Sequence, residues 1–505
     1  MTADQQKTEE IVIRLVDGLF SQILTKAPPS NIVELWKEHV EIRRVLDSIN
    51  EELSKLSDTN QKLKDGSRNA DKILEFLKWA DQIGIARNNV EVVDSFKTGL
   101  ELKATGTIPK GHIIAKVPRH AMISLDLARK SSILKKAFER DPIVGNMGNV
   151  GLALFVAAQW INQEKSKWHP YISVLPTHFT TPIFYSEQQL LNLKPSPIFE
   201  ESLLFYRTIA RQFAYFFISI TQNRVYEHSQ KNAKKGDRPV EPPVLYNTPF
   251  TITNFTPNLY MWSVGVVTTR VNMVPSEIEQ TRDGQVLMMP ALIPVLDMAN
   301  HENVTDQDDE NIEDLVCFSS EENVALITSH SELHSGDSAT IFYGRRSGGE
   351  HLLHNGFVPT HENGFDIFKL KIGIPKTDKD LEAKRKLVKQ LIPEAYSPTN
   401  VFQFDLVNFP KQPFAEELLI FSAIFVTSSP TKENVETPES RQKAIEFLKN
   451  RIILLEKSYG KGIDRSLLSQ IGEDGDAARL KTAEIHILQL ARVHCEVLEK
   501  SRLIA

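Results

Sequence analysis

Apolar positions in the first 65 residues recur at helical spacing. Ile11, Leu15, Leu19 and Ile23 form one stripe, Pro28 and Pro29 break it, and Leu35, Trp36, Ile42, Val45, Leu46, Ile49, Leu53 and Leu56 form a second. This rhythm predicts two helices, the second capped by Ser30 or Asn31. The stripes are irregular for a coiled coil, so the segment is expected to pack on its own chain. From Val90 to Ser124 the pattern shortens: brief Val/Ile/Leu runs are interrupted by Gly and Pro, which predicts small strands and tight turns. A helical block follows to about Ser229. Within it, GLALFVAAQWI and SLLFYRTIARQFAYFFISI are apolar on more than one face and read as deeply buried helices. Residues 230–258 read as a surface loop in which Lys234, Lys235 and Arg238 are solvated. Short apolar runs return between Leu287 and Phe357, and helical patterns dominate after about Asp380. The expected fold class is α+β: an N-terminal helical segment (1–85), a β-rich domain (86–357) with a helical insertion at about 130–260, and an all-α C-terminal domain (358–505).

Composition narrows the function classes. The 505 residues are 41% hydrophobic and 25% charged, as in ordinary globular proteins. Lys plus Arg number 59 against 65 Asp plus Glu, a formal charge of -6, which argues against a protein that grips nucleic-acid phosphates. Two cysteines, Cys317 and Cys495, are too few for a disulfide framework or a Cys-rich zinc cluster and fit a reducing compartment. The start MTADQQKTEE lacks the basic and apolar regions of an export signal. The run Val286 to Leu296 carries two prolines and falls short of the ~20 residues that span a bilayer. The expectation is a protein of the cytoplasm, with the nucleus left open as a second location, and with no membrane and no nucleic-acid partner.

Several local motifs carry little. GNMGNVG (Gly145 to Gly151) lacks the Lys-Ser/Thr of a phosphate loop and reads as a helix start. The acidic run at Asp306, Asp308, Asp309 and Glu310 has no glycine for a calcium-loop turn and reads as a solvated loop. His301-Glu302 lacks the second histidine of H-E-x-x-H, and His351 and His354 have no ligand partners at metal spacing, so no metal is expected.

Three segments matter together: TGLELKATGTIPKG (Thr98 to Gly111), IPVLDMANH (Ile293 to His301) and SGDSATIFYGRRS (Ser335 to Ser347). Each alone is an ordinary strand or turn. In this order they resemble the SET-domain protein methyltransferases, in which an Asn-His pair and a Tyr-Gly strand end cross beside the cofactor. WHPYISVLP, RTIARQFAYFF, WSVGVVTTRVNMVP (Trp262 to Pro275), LLHNGF and the early WKEHVEIRRVL narrow the likeness. They point to the actin-histidine N-methyltransferase branch, sister to the Rubisco lysine type, with a helical C-terminal substrate-binding domain in place of a Cys-rich tail. The likeness runs from about Trp36 into the C-terminal helices, where it is weakest.

The resemblance implies S-adenosyl-L-methionine as cofactor, actin as protein substrate and a monomeric enzyme. It places cofactor contacts on Arg68, on Thr98, Gly99 and Leu100, on Arg270, on Asp297, Met298, Ala299, Asn300 and His301, and on Asn355, Gly356 and Phe357. Methyl transfer from a sulfonium is an in-line displacement, so such an enzyme chiefly aligns nucleophile, methyl and sulfur. Tyr343 is the catalytic candidate: a phenol at a channel mouth orients the acceptor, stabilises developing charge and excludes water. His301 reads as structural rather than as a general base. By the resemblance Asn272 stands where the histidine enzymes carry their imidazole-binding asparagine, which makes it both a catalytic and a substrate-binding candidate; an imidazole acceptor must be neutral, and a carboxamide can hold its far N–H. Arg346 is a candidate contact to the substrate backbone.

Leu296 is expected to wall the acceptor pocket. It stands where the histidine enzymes carry tryptophan, and the smaller side chain leaves a lysine acceptor open. The GLE at Gly99 to Glu101 also departs from the common G-x-G. Two alternatives therefore accompany the histidine reading: a lysine methyltransferase on the same fold, and a catalytically silent adaptor that binds a protein partner.

Overall fold

The N-terminal stripes form the helices Ala3–Leu19, continued by a wider turn Phe20–Leu24, and Ile32–Ser54. Asn31 caps the second, its Oδ1 accepting the Val33 amide at 2.8 Å. Val12, Val16, Leu46, Ile49 and Leu53 on their inner faces join the same buried core as the strands and helices that follow. Arg207, on the helix Pro197–Asn232, ties the pair down. Its Nε donates to Glu38 at 2.6 Å, and its Nη2 donates to the carbonyls of Ile23 and Lys26 at 3.0 and 2.8 Å. These helices thus pack on their own chain.

This is a computed structural model of the chain, and it describes residues 2–95, 99–233, 240–280, 282–302, 316–361, 363–460 and 463–500. The acidic run at 306–310 and the basic residues Lys234, Lys235 and Arg238 lie outside the described residues. The chain divides into two units, Met1–Phe184 with Ser202–Tyr343, and Tyr185–Glu201 with Gly344–Ala505. The N-terminal helices, read from sequence as a segment of their own, fall within the first unit. Among the described residues, no helix is long and apolar enough to cross a membrane.

In the first unit the Gly- and Pro-punctuated stretch forms β1 (Ala86–Arg87), β2 (Val90–Ser95), β3 (Gly99–Ala104), β4 (Ile113–Pro118) and β5 (Ile123–Ser124). Later come β6 (Asn272–Gln280), β7 (Val286–Leu292), β8 (Val316–Ser319) and β9 (Val324–Thr328). They make three small antiparallel sheets, ordered β1-β4-β9-β8, β2-β3 and β5-β7-β6. Among the described residues no strand exceeds nine residues, so packing against helices rather than sheet size stabilises them. The helices Gly148–Asn162 and Pro257–Arg270 supply that packing. Leu152 to Ala158 of the first are buried without a polar face, matching its uniformly apolar sequence.

The second unit is helical for most of its length, with Leu381–Leu391, Glu416–Val426, Pro438–Ser458 and Glu473–Lys500 the longer helices after Gly344. It departs from the all-α expectation in one element. β10 (Ile367–Gly373) and β11 (Val401–Val407) pair antiparallel over their full length. The reason is a period of two: Phe368, Leu370 and Ile372 on one strand and Phe402, Phe404 and Leu406 on the other are buried, while Lys369, Lys371, Gln403 and Asp405 alternate with them. Seven-residue runs of this kind are easily lost beside long helical patterns. The second unit thus stays helix-dominated around a two-stranded ribbon, and the α+β class of the whole chain stands.

Candidate active site

β7 ends at Leu292, and the chain then turns sharply. Val295 takes φ +71, a conformation that a β-branched residue adopts only under constraint, and it is fully buried. A single 3₁₀ turn, Leu296–Met298, follows, closed by the Ala299 amide on the Leu296 carbonyl at 3.1 Å. Beyond it, residues 300–302 run parallel to Ile341: the Ile341 amide donates to Asn300 O at 2.9 Å, and the Glu302 amide donates to Ile341 O at 3.0 Å. The segment leading to Ile341 also lies along β3, with the Ala339 amide on Leu102 O at 2.8 Å and the Ala104 amide on Asp337 O at 2.9 Å. Three stretches far apart in sequence are therefore stitched together through main-chain hydrogen bonds. The motifs that stood out singly in the sequence meet here.

Side chains complete the junction. The Tyr343 hydroxyl donates to the Ala299 carbonyl at 2.9 Å. The Tyr343 amide donates to His301 Nδ1 at 3.3 Å, so that nitrogen is the bare one and Nε2 carries the proton. The two rings lie 5.2 Å apart. Asn300 Nδ2 donates to Glu101 Oε2 at 3.3 Å, and Glu101 is buried. On the other side of the turn, Arg270 Nη1 at the end of its helix donates to the Asp297 carbonyl at 2.8 Å. Asn272, first residue of β6, donates through Nδ2 to the Arg270 carbonyl at 3.2 Å. Among the described residues its Oδ1 has no hydrogen-bond partner, which leaves that oxygen to accept. Asn272 and Tyr343 are thus joined through Arg270 and the 297–299 turn.

Asp297 sends its carboxyl inward, where Tyr171 donates a hydrogen bond to Oδ2. Burial pushes this carboxyl up to about 6, against the opposing effects of the Arg270 charge and the Tyr171 bond. Leu296, Met298 and Ala299 are buried in the core, Leu296 completely. Sequence reasoning overlooked Tyr171 and Glu101 as contributors; the signals available were the WHPYISVLP segment and the departure from G-x-G.

A second group flanks the first along β3. Gly99 opens the strand at φ +81, and a Cβ there would stand 3.1 Å from Arg68 Nη2. The absent side chain therefore lets the guanidinium lie against the main chain. Arg68 Nε also donates to Asp94 Oδ1 at 2.9 Å, and Leu100 opposite Asp94 is buried. Thr98 lies outside the described residues. The remaining predicted residues belong to the second unit. There Arg346 Nη1 donates to Asn355 Oδ1 at 2.8 Å, and Gly356 ends the helix Gly348–Asn355 in the left-handed conformation. Phe357 stacks on His351 with ring centroids 5.1 Å apart.

The first-unit cluster presents a cation beside a glycine cradle, a ring of main-chain groups, a phenol and a carboxamide. This donor set suits a small zwitterion carrying a carboxylate: Arg68 can pair with the carboxylate, and Gly99 gives room for close approach. It offers neither a nucleophile-base pair nor a phosphate loop.

No family model matches the chain. The actin-histidine N-methyltransferases of Papio anubis and Homo sapiens are each 30% identical to it over 475 residues, covering 89% of this chain and 72% of theirs. That of Mus musculus is 29% identical over 501 residues, covering 94% and 76%. Among solved structures, the SET domain of LSMT bound to lysine and AdoHcy superposes with a TM-score of 0.62 at 17% identity, over 85% of this chain and 92% of that one. Rubisco LSMT bound to AdoMet gives the same values. The fold is therefore that of the SET domain.

Proposed function

The chain belongs to the family of actin-histidine N-methyltransferases built on the SET fold, and from that premise we propose that it transfers the methyl group of S-adenosyl-L-methionine to a histidine side chain of actin. The observation that carries this reading is the placement of Asn272. Its amide nitrogen is engaged by the Arg270 carbonyl, so the carboxamide is turned with Oδ1 ready to accept. An imidazole whose N–H points at that oxygen is held neutral, with its other nitrogen bare and nucleophilic. Arg270 links Asn272 to the turn whose Ala299 carbonyl anchors the Tyr343 phenol. The phenol can then guide the acceptor and keep water from the reacting nitrogen.

When bound, S-adenosyl-L-methionine supplies an electrophilic methyl on a sulfonium, poised for in-line displacement. Arg68, Gly99 and Leu100, with the main chain of Asp297 to His301, are the residues that would hold it. Arg270 gives its Nη1 to the Asp297 carbonyl, while its buried Nε has no hydrogen-bond partner among the described residues and remains able to meet the cofactor carboxylate. The N–CH3 bond would form as the S–CH3 bond breaks, so the positive charge passes to the imidazole; Asn272 Oδ1 holds the remaining N–H without taking its proton, which the methylated ring would release to water on leaving the site.

A lysine acceptor is the second reading, favoured by Leu296, a smaller residue than the tryptophan expected by resemblance. The test is to incubate the purified chain with labelled cofactor and actin, then locate the label by mass spectrometry. The expected product is a methylated histidine, and Asn272→Ala should lower its rate at least tenfold. Label on lysine, or an unaffected histidine rate in the variant, would refute the Asn272 argument.

A further inference from the structure

We propose that Tyr171 is a positioning residue for methyl transfer: by gripping the Asp297 side chain it holds the Leu296–Ala299 turn where the Ala299 carbonyl can fix the Tyr343 hydroxyl. This rests on the methyltransferase reading of the same site. Tyr171 is fully buried in the short helix His169–Ile172, its ring packed 6.2 Å from that of Phe76. Its hydroxyl donates to Asp297 Oδ2, while Arg270 Nη1 donates to the Asp297 carbonyl at 2.8 Å. One residue is thus held through its side chain from one helix and through its main chain from another. The turn needs such restraint, because Val295 before it is strained at φ +71. Two residues beyond Asp297, the Ala299 carbonyl accepts from Tyr343. A shift of the Asp297 carboxyl is therefore transmitted to the phenol through three peptide units.

The grip depends on protonation. Tyr171 and Arg270 are the titratable groups facing Asp297. Asp297 Oδ1 is buried without a hydrogen-bond partner, so that oxygen takes the proton when the carboxyl is neutralised. Burial makes the neutral carboxyl the favoured form of Asp297 in the fold, yet neutralisation weakens the Tyr171 bond and the attraction to Arg270, so this particular hold on the turn slackens as pH falls through about 6. Histidine in the substrate titrates in the same range, so a pH profile of the wild type alone cannot apportion the effect.

The experiment uses the full chain with actin and two variants. Tyr171→Phe keeps the ring and removes the hydroxyl. Its kcat at pH 8 should fall at least fivefold with both KM values within twofold, and its acidic limb should move to higher pH. Asp297→Asn should remove the part of the limb in kcat that belongs to this group. In parallel, the ring-carbon resonance of 13C-labelled Tyr343 in the cofactor-free wild type should shift between pH 5 and 7, and this shift should vanish in Asp297→Asn. A Tyr171→Phe enzyme with wild-type kcat and pH profile would overturn the proposal, as would a Tyr343 resonance blind to pH in that range. If the wild type methylates no protein, the functional reading fails, and the resonance still decides whether Asp297 governs Tyr343.

Discussion

Glu484 in the second unit offers a quantitative test of how burial sets ionisation. It lies in the helix Glu473–Lys500 and is almost fully buried. Ser196 Oγ meets its Oε1 at 2.7 Å and the Tyr459 hydroxyl meets its Oε2 at 2.8 Å. Burial outweighs both bonds and pushes the carboxyl from the usual 4.5 up to about 8. A group whose folded value lies above its unfolded value favours folding most below the unfolded value, and loses that contribution as pH rises towards the folded value. At pH 7 the unfolded chain gains roughly 300-fold from ionising this carboxyl, which costs the fold about 3 kcal/mol; at pH 5 the cost is under about 1 kcal/mol. Glu484→Gln mimics the neutral carboxyl, with the amide donating to one hydroxyl and accepting from the other. The variant should therefore gain stability over the wild type, by about 2–3 kcal/mol more at pH 7 than at pH 5. Urea titrations read by hydrogen exchange in peptides from 438–458 and 473–500 would measure it in the unit concerned. A difference between the two proteins that does not change with pH would show that Glu484 ionises as it does in water, and would refute the reasoning.

Other perturbations probe the first unit. Tyr343→Phe removes the bond to Ala299 and should lower kcat at least tenfold, with affinity for S-adenosylhomocysteine by calorimetry unchanged. Gly99→Ala places a methyl 3.1 Å from Arg68 in a backbone conformation hostile to side chains. It should destabilise by about 1–2 kcal/mol and weaken cofactor binding, both measurable by melting with and without cofactor. Arg207→Ala strips Glu38 and the Ile23 and Lys26 carbonyls of their shared donor. A loss of about 3–5 kcal/mol is expected, seen as earlier urea unfolding and faster proteolysis around residues 25–31; unchanged cleavage there would mean that Arg207 does not anchor these helices.

Much of this was legible before any coordinates. The stripe Leu35 to Leu56, the cap at Asn31, the uniformly apolar GLALFVAAQWI and the three motifs around Thr98, Asn300 and Tyr343 are local patterns. Each reports a period or a turn that the backbone obeys wherever the segment ends up. The β10–β11 ribbon was missed because two seven-residue alternations, VFQFDLV from Val401 and the one starting at Ile367, are well separated in sequence, and neither is decisive until it finds the other. Tyr171 and Glu101 were missed for a related reason. An ordinary aromatic and an ordinary acid acquire a role only when a partner from a distant segment turns them into a buried pair.

Residue order alone therefore dictated which stretches coil or extend, which faces seek burial, and which uncommon combination of motifs the chain carries. Folding in three dimensions settled the crossing of residues 300–302 with Ile341, the hold of Tyr171 on Asp297, and the burial that pushes the Glu484 carboxyl up. Periodicity is a property of neighbours along the chain, whereas a hydrogen-bond partner and a local dielectric are supplied by surfaces that other segments of the chain bring in.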